Sequence, residues 1–351
     1  MITRYVNTAS TPGGDGTTNA TSGANRAYAS LNEAEASLPA TLTDAYDFIC
    51  EGTTADTTAV VFDGFTTSVA NYLLIRTTQA NRHDGKWNTG KYRVEVTDGT
   101  QVLLVAKAHI RVEGLQVGVI RTTAGTTGAI NVGPSTSLVS DIHIISCILR
   151  STGSDNNGSS LLFSGGASGT TYKAINNILY DFNRAGYYSS LIELNAVNAT
   201  LYCYNNTCRN AYAGIVRTNG ILVAKNNIVQ ETQSADYSGT FTTSNYNLSS
   251  DATSTGGVND KINQTVSFVD LTNKDFHLLS SDTAAKDAGT DLSGDANFAF
   301  STDIDSQTRS GTWDIGADEY VAAGGGLSIP VALQNMRGGF SPLSLGGFIN
   351  G

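Results

Sequence analysis

Few side chains in the middle of this 351-residue chain can do acid–base chemistry. Asp181 and Glu193, with Arg184 as the nearby base, make the best constellation. Two carboxylates held roughly 5 to 9.5 Å apart hydrolyse a glycoside. The competing reading is that these are solvated turn charges, like the scattered Asp141 and Glu231. His109 and His143 adjoin or interrupt apolar runs and are expected on a sheet surface, His83 in a loop and His277 near the end; no pair has metal-ligand spacing. Cys50, Cys147, Cys203 and Cys208 are too scattered for a disulfide framework and lack the CxxC spacing of a zinc site. Acidic residues crowd one late stretch: Asp287, Asp291, Asp295, Asp303, Asp305, Asp314, Asp318 and Glu319. Such oxygen-rich loops either hold a structural calcium or form salt links, here to Arg309 and Lys286. Beyond that calcium, no metal and no cofactor is expected, and the chain leans away from enzymes.

Composition narrows the elements that must carry these residues. Apolar residues make up 40% and charged ones only 15%, with Gly, Ser, Thr, Asn and Ala abundant. That mixture suits strands and tight turns better than surface helices. A formal charge of -10 without Lys/Arg clusters argues against a nucleic-acid partner. No run approaches the roughly 18 apolar residues of a membrane helix, so no membrane insertion is expected. The opening residues show no apolar core of a secretory leader.

The most informative pattern is a doubled asparagine that follows a short apolar run in "AINNILY", "YNNTCRN" and "KNNIVQE". Aligning these with "IRVEGLQV", "IHIISCIL" and "TTSNYNLS" puts Gly114, Cys147, Asn177, Asn206, Asn227 and Tyr246 in one column, in steps of roughly 33, 30, 29, 21 and 19 residues. A ladder of this period marks stacked turns of a solenoid. Asparagine suits the corner because it tolerates left-handed backbone angles. Stacked amides also hydrogen-bond from turn to turn, so Asn177, Asn206 and Asn227 are read as a structural ladder. The alternative is that these amides bind sugar. Further strands are expected at 59–65, 71–78, 92–99 and 102–108, with loops leaving the stack at 83–91 and 151–160.

Ahead of the stack, residues 30–42 read as a short amphipathic helix, with Ser30 as N-cap, Glu33 three residues on, and Leu31, Ala34 and Leu38 on one face. A solenoid end needs such a cap. The organisation expected is therefore an opening segment and capping helix (1–50), parallel β-helix turns (51–250), a closing segment (251–320), and a Gly-rich linker with an apolar docking tail (321–351).

The opening "YVNTASTPGGDGT" with "AYASLNEAEASLP", and the late "DIDSQTRSGTWDIGADEY", resemble the first and last segments of right-handed parallel β-helix repeat proteins. The resemblance implies an all-β solenoid over residues 1 to about 320. In that family's Asp-x-x-Gly-x-x-Arg pattern, Ser306 stands here where glycine is usual. The paired Asp and the Gly-His-Gly of pectinase-type hydrolases are missing, so the resemblance speaks for architecture rather than chemistry.

The tail alternates Leu327, Ile329, Val331 and Leu333, then adds Phe340, Leu343, Leu345 and Phe348 in a Gly-rich stretch. An apolar strand on a flexible hinge needs a surface to cover it: either the chain's own last turn or another subunit. A β-helix with such a tail and no export signal resembles accessory proteins of tailed-phage virions. The expected function is a non-enzymatic structural or adhesive virion protein, a capsid decoration or fibre-like component. It would be assembled in the host cytoplasm and released by lysis, with other virion or capsid subunits as partners. Host-surface carbohydrate is a further expected ligand, contacted by aromatics such as Tyr187, Tyr188, Tyr202, Tyr204 and Tyr212. The alternatives are a polysaccharide depolymerase, either a tailspike-type hydrolase or a lyase, and a bacterial surface adhesin.

Overall fold

A computed structural model describes residues 1–153, 156, 158–183 and 189–322. Two units are present, Met1–Tyr320 and Val321–Gly351. Arg184, Tyr187, Tyr188 and all the proposed tail-docking residues lie outside the described residues.

Among its described residues the first unit is almost wholly β, with 18 strands in a single sheet that pair in parallel with strands one turn away. Register defines three faces. On the first, Phe48, Ile75, Val112, Ile144, Ala174, Cys203 and Ala224 stack in one row. On the second, Val94, Val117, Leu149, Leu179, Cys208 and Val229 do so. On the third, the row is Val60, Leu103, Ile130, Leu161, Ile192, Ile215 and Tyr237. All three rows point inward and merge into one core. This is the topology of a parallel β-helix: strands that cannot bury an apolar face alone share one by stacking.

The doubled asparagines divide the labour at the corner between the first and second faces. Asn176, Asn205 and Asn226 adopt φ of 53°, 51° and 54°, the left-handed region that asparagine visits most readily after glycine. Their successors point inward. Asn177 donates from both its backbone N and its Nδ2 to Asn206 Oδ1, at 3.0 Å each. Asn206 does the same to Asn227 (3.0 and 2.9 Å), and Asn227 to Asn247 (3.1 and 2.9 Å). Cys147 N donates to Asn177 Oδ1 at one end, and the Asp260 carboxylate accepts from Asn247 N at the other. Each amide is buried and its hydrogen bonds are used within the coil, which leaves none free to contact sugar.

Two members of the expected column stand one place out of register. Gly114 (φ 71°) and Tyr246 (φ 58°) occupy the left-handed corner beside Ser146 and Asn176, not the inward position. Their inward neighbours are Leu115 and Asn247, so the ladder gains a fourth asparagine. Successive inward positions are 30, 29, 21 and 20 residues apart. The turns shorten because loops vanish: Thr207–Lys225 runs unbroken across all three faces.

The helix is shorter than the expected 30–42 and spans Leu31–Ala36. Ser30 Oγ accepts from Glu33 N at 3.1 Å, while Glu33 reaches back to Ala29 N and Gly13 N. Leu31 and Ala34 enter the core.

Residues 262–320 add no further turn. They run as a strap along the outside of the second face, whose outward row Ile148, Ile178, Thr207, Ile228 and Leu248 has its apolar members covered by Val266, Phe268, Phe276, Ile304 and Ile315. The outer corner asparagines clasp it. Asn176 donates to Thr302 O (2.7 Å), Asn205 to Gly316 O (3.0 Å), and Asn226 both donates to Thr290 O (2.8 Å) and accepts from Thr290 N (3.0 Å).

Candidate functional site

The strap's own loops are organised by Arg309, whose side chain is fully buried. It donates to Glu319 Oε2 (3.1 Å), to the carbonyls of Gly316 and Ala317 (2.9 Å each), and to Asn176 Oδ1 (3.2 Å). Among the described residues Lys286 makes no salt link; it donates to Ser280 O and lies over the Tyr320 ring. Ser306 takes φ 67°, which explains why glycine is usual at this place in the resembled pattern. Its Oγ accepts from Arg82 Nη1 at 3.0 Å.

Beside this hub, His277 donates from Nδ1 to Asp275 and from Nε2 to Asp305 Oδ2 (2.8 Å). Burial alone would lower its pKa, but Asp305, Asp318 and Asp275 outweigh it and lift it to about 10. Burial raises Asp303 and Asp314 to about 7 and Asp318 to about 6. His277, Asp305 and Asp318 offer three ligand atoms within 4.8 Å of one another. The imidazole spends both N–H groups on carboxylates, so the cluster acts as a charged latch. It ties the strap to residues 79–86 through Lys86–Asp275 (3.1 Å) and Gln79 to Asp305 O (3.1 Å). The expected loop at 83–91 therefore leads under the strap, with His83 buried against Ser146 O (2.8 Å). His143 does face outward from the first face, but Asp141 and the Phe298 ring bury it.

Asp181 and Glu193 are not brought together. Asp181 sits at the end of the second face, receives Asn210 Nδ2 at 2.6 Å and pairs with Lys274 of the strap at 2.8 Å. Glu193 belongs to the third face, in the outward row Leu162, Glu193, Val216 and Ser238. A second row beside it, Ser190, Ala213 and Ala235, carries only small side chains. The missing bulk leaves a cleft of about 310 Å³, lined by Ser189, Ser190, Glu193, Tyr212, Val216, Thr218, Ser234 and Ser238. That volume lies at the low end of ligand sites, which run roughly 300 to 1,000 Å³. Glu193 Oε2 accepts from Ser190 Oγ (3.0 Å) and Ser159 Oγ (3.1 Å), and Oε1 from Thr218 Oγ1 (3.2 Å). Among the described lining residues Glu193 is the single carboxylate, and none is His, Lys or Arg.

Sequence reasoning found Glu193 but not its surroundings, because the small row is visible only once register is known. Tyr212 lines the cleft, whereas Tyr204 is buried against Trp313 and Leu292. The histidine latch had a legible signal. Asp-x-His occurs in "DIH" and again in "DFH", and a two-residue step puts both side chains on one face of a strand.

No protein-family model and no curated protein matches the chain. Among solved structures, the crystal structure of pectate lyase Pel9A is similar at 12% identity with a TM-score of 0.40, covering 91% of this chain and 96% of that one.

Proposed function

We propose that this β-helix is a non-catalytic, adhesive protein that binds saccharide in the Glu193 cleft. The observation that carries the reading is the lining itself: one carboxylate, five serine or threonine hydroxyls and one tyrosine around a recess three turns tall. Hydroxyls that both donate and accept match the hydroxyls of a sugar ring, and a tyrosine ring offers an apolar face at low entropic cost. Hydrolysis by paired carboxylates needs a second acid, which the described lining residues do not supply; this disfavours a depolymerase of the hydrolase kind.

The setting we propose is a virion, with residues 327–348 docking on another subunit by strand addition and apolar burial. What supports it is the alternation of Leu327, Ile329, Val331 and Leu333 after three consecutive glycines in the sequence. A glycan array read with wild type and Ser190→Trp, which fills the recess, tests the binding function. Binding that is lost in the variant supports it; an array without hits, or equal binding by both, refutes it. Deleting 324–351 tests the setting, since a truncated chain that still enters particles overturns it.

A further inference from the structure

We infer that the cleft selects saccharides carrying a free amine, over N-acetylated or neutral ones, and rejects uronates; the inference rests on the cleft's being a saccharide site. It comes from how carboxylates are treated elsewhere on the coil. Asp47 pairs with Arg76 (2.8 Å), Glu95 with Arg93 and Arg150 (2.7 and 2.9 Å), Asp141 with Lys173, Asp181 with Lys274, and Glu231 with Arg209. In these cases a cation from the same strand, a neighbouring strand or the strap neutralises an outward-facing acid.

Among the described residues Glu193 has no such cation; nor do Glu51, held by Asn19, and Asp236, held by Thr232 and Ser250, but neither of those lines the cleft. The positions above and below Glu193 in its row are Leu162, Val216 and Ser238, so among the described residues that row offers no cation. Its three partners are neutral hydroxyls. Neutral donors orient a carboxylate without cancelling its charge. An ionised carboxylate has about four lone-pair sites, and Ser159, Ser190 and Thr218 occupy three of them. The remaining site, and the acceptor lone pairs of those hydroxyls, suit the three donors of an ammonium group.

A recess with low-dielectric walls also focuses the field of an unpaired charge. An ammonium inside it gains a charge-assisted hydrogen bond, whereas a uronate carboxylate meets like charge. Acetylation removes the cation and leaves the rest of the sugar unchanged, so it isolates this term.

The experiment measures binding of the full chain by titration calorimetry at pH 6. Three probes of equal length are used: a deacetylated chito-oligosaccharide, its N-acetylated counterpart and an oligogalacturonate. The deacetylated probe is expected to bind at least about tenfold more tightly than the acetylated one, and the uronate not to bind. In Glu193→Gln, or in high salt, the preference should shrink to about twofold. Ser190→Trp should abolish binding. If the acetylated and amine probes bind equally and Ser190→Trp blocks both, the inference falls while the saccharide site stands. If no probe binds, the site itself falls. If amine binding survives Ser190→Trp, it reflects general attraction to an acidic surface, and the inference falls as well.

Discussion

Asn176 and Asn177 are adjacent in the chain and serve opposite sides of the coil: Asn176 faces out and ties Thr302 and Arg309 of the strap, while Asn177 faces in and donates twice to Asn206. The same division recurs at Asn205/Asn206 and Asn226/Asn227. A doubled asparagine thus serves two independent structures at once, and the two can be separated by mutation.

Asn206→Ala removes the acceptor for two donors of Asn177 and a donor to Asn227 Oδ1, all buried. Each unsatisfied buried group costs roughly 1 to 3 kcal/mol. A global loss of about 2 to 4 kcal/mol is expected by denaturant titration. A change under 1 kcal/mol would mean that the ladder is dispensable.

Asn176→Gly, which keeps the left-handed corner (φ 53°) without the amide, should leave the turns intact and loosen the strap locally. Limited proteolysis is expected to cut within residues 290–312 sooner than in wild type, with hydrogen exchange at residues 142–149 unchanged. Equal loss of protection in both regions would show that strap and coil unfold together.

Arg309→Gln strands the Glu319 carboxylate in a buried site. Breaking a buried pair from one side costs roughly 3 to 5 kcal/mol, and that loss should appear in the same titration. Arg309→Lys is not expected to restore it, because one ammonium cannot reach Glu319, Asn176 and two carbonyls together.

The latch also predicts a direction with pH. His277 is lifted from 6.5 to about 10, so its contribution is whole below pH 6.5 and is lost as pH rises through 10. Asp303 and Asp314, lifted from 3.8 to about 7, act in the same sense between those values. Asp275 and Asp295 are lowered despite burial, by His277 and Lys225 respectively, so their contribution is present above 3.8 and lost on acidification. The strap should therefore hold best near pH 4 to 6 and loosen towards pH 10. Hydrogen exchange of residues 276–320 at pH 5, 7 and 9 reads this out, after correction for intrinsic rates. His277→Gln should remove the part above pH 6.5; a wild-type strap equally protected at all three values would contradict the latch.

The coil was legible because its signal is local: alternating apolar runs, then Asn-Asn, recurring at steps of 20 to 30 residues. Gly114 and Tyr246 were misplaced because a corner is two residues wide and composition alone does not say which one turns. The course of the closing segment along the outside of the second face was not foreseen, although its footprint is in the text. "CILR", "NILY" and "NIVQ" each place two apolar residues together after the corner, and a strand with both sides apolar is one buried on both sides. The cleft was illegible for a different reason. Its defining feature is a row of small side chains contributed by residues more than 20 positions apart.

The strap grips the coil at Asn176, Asn205 and Asn226 and reaches back to Gln79 and Lys86. Its length is thereby matched to the rungs it crosses. The ladder's joints are alike, so the coil by itself would accept an extra rung spliced between Asn177 and Asn206. The strap would not, since its anchor points would then fall out of step by one inter-strand spacing, about 4.8 Å. The outer segment therefore acts as a ruler, fixing how many turns this molecule can have.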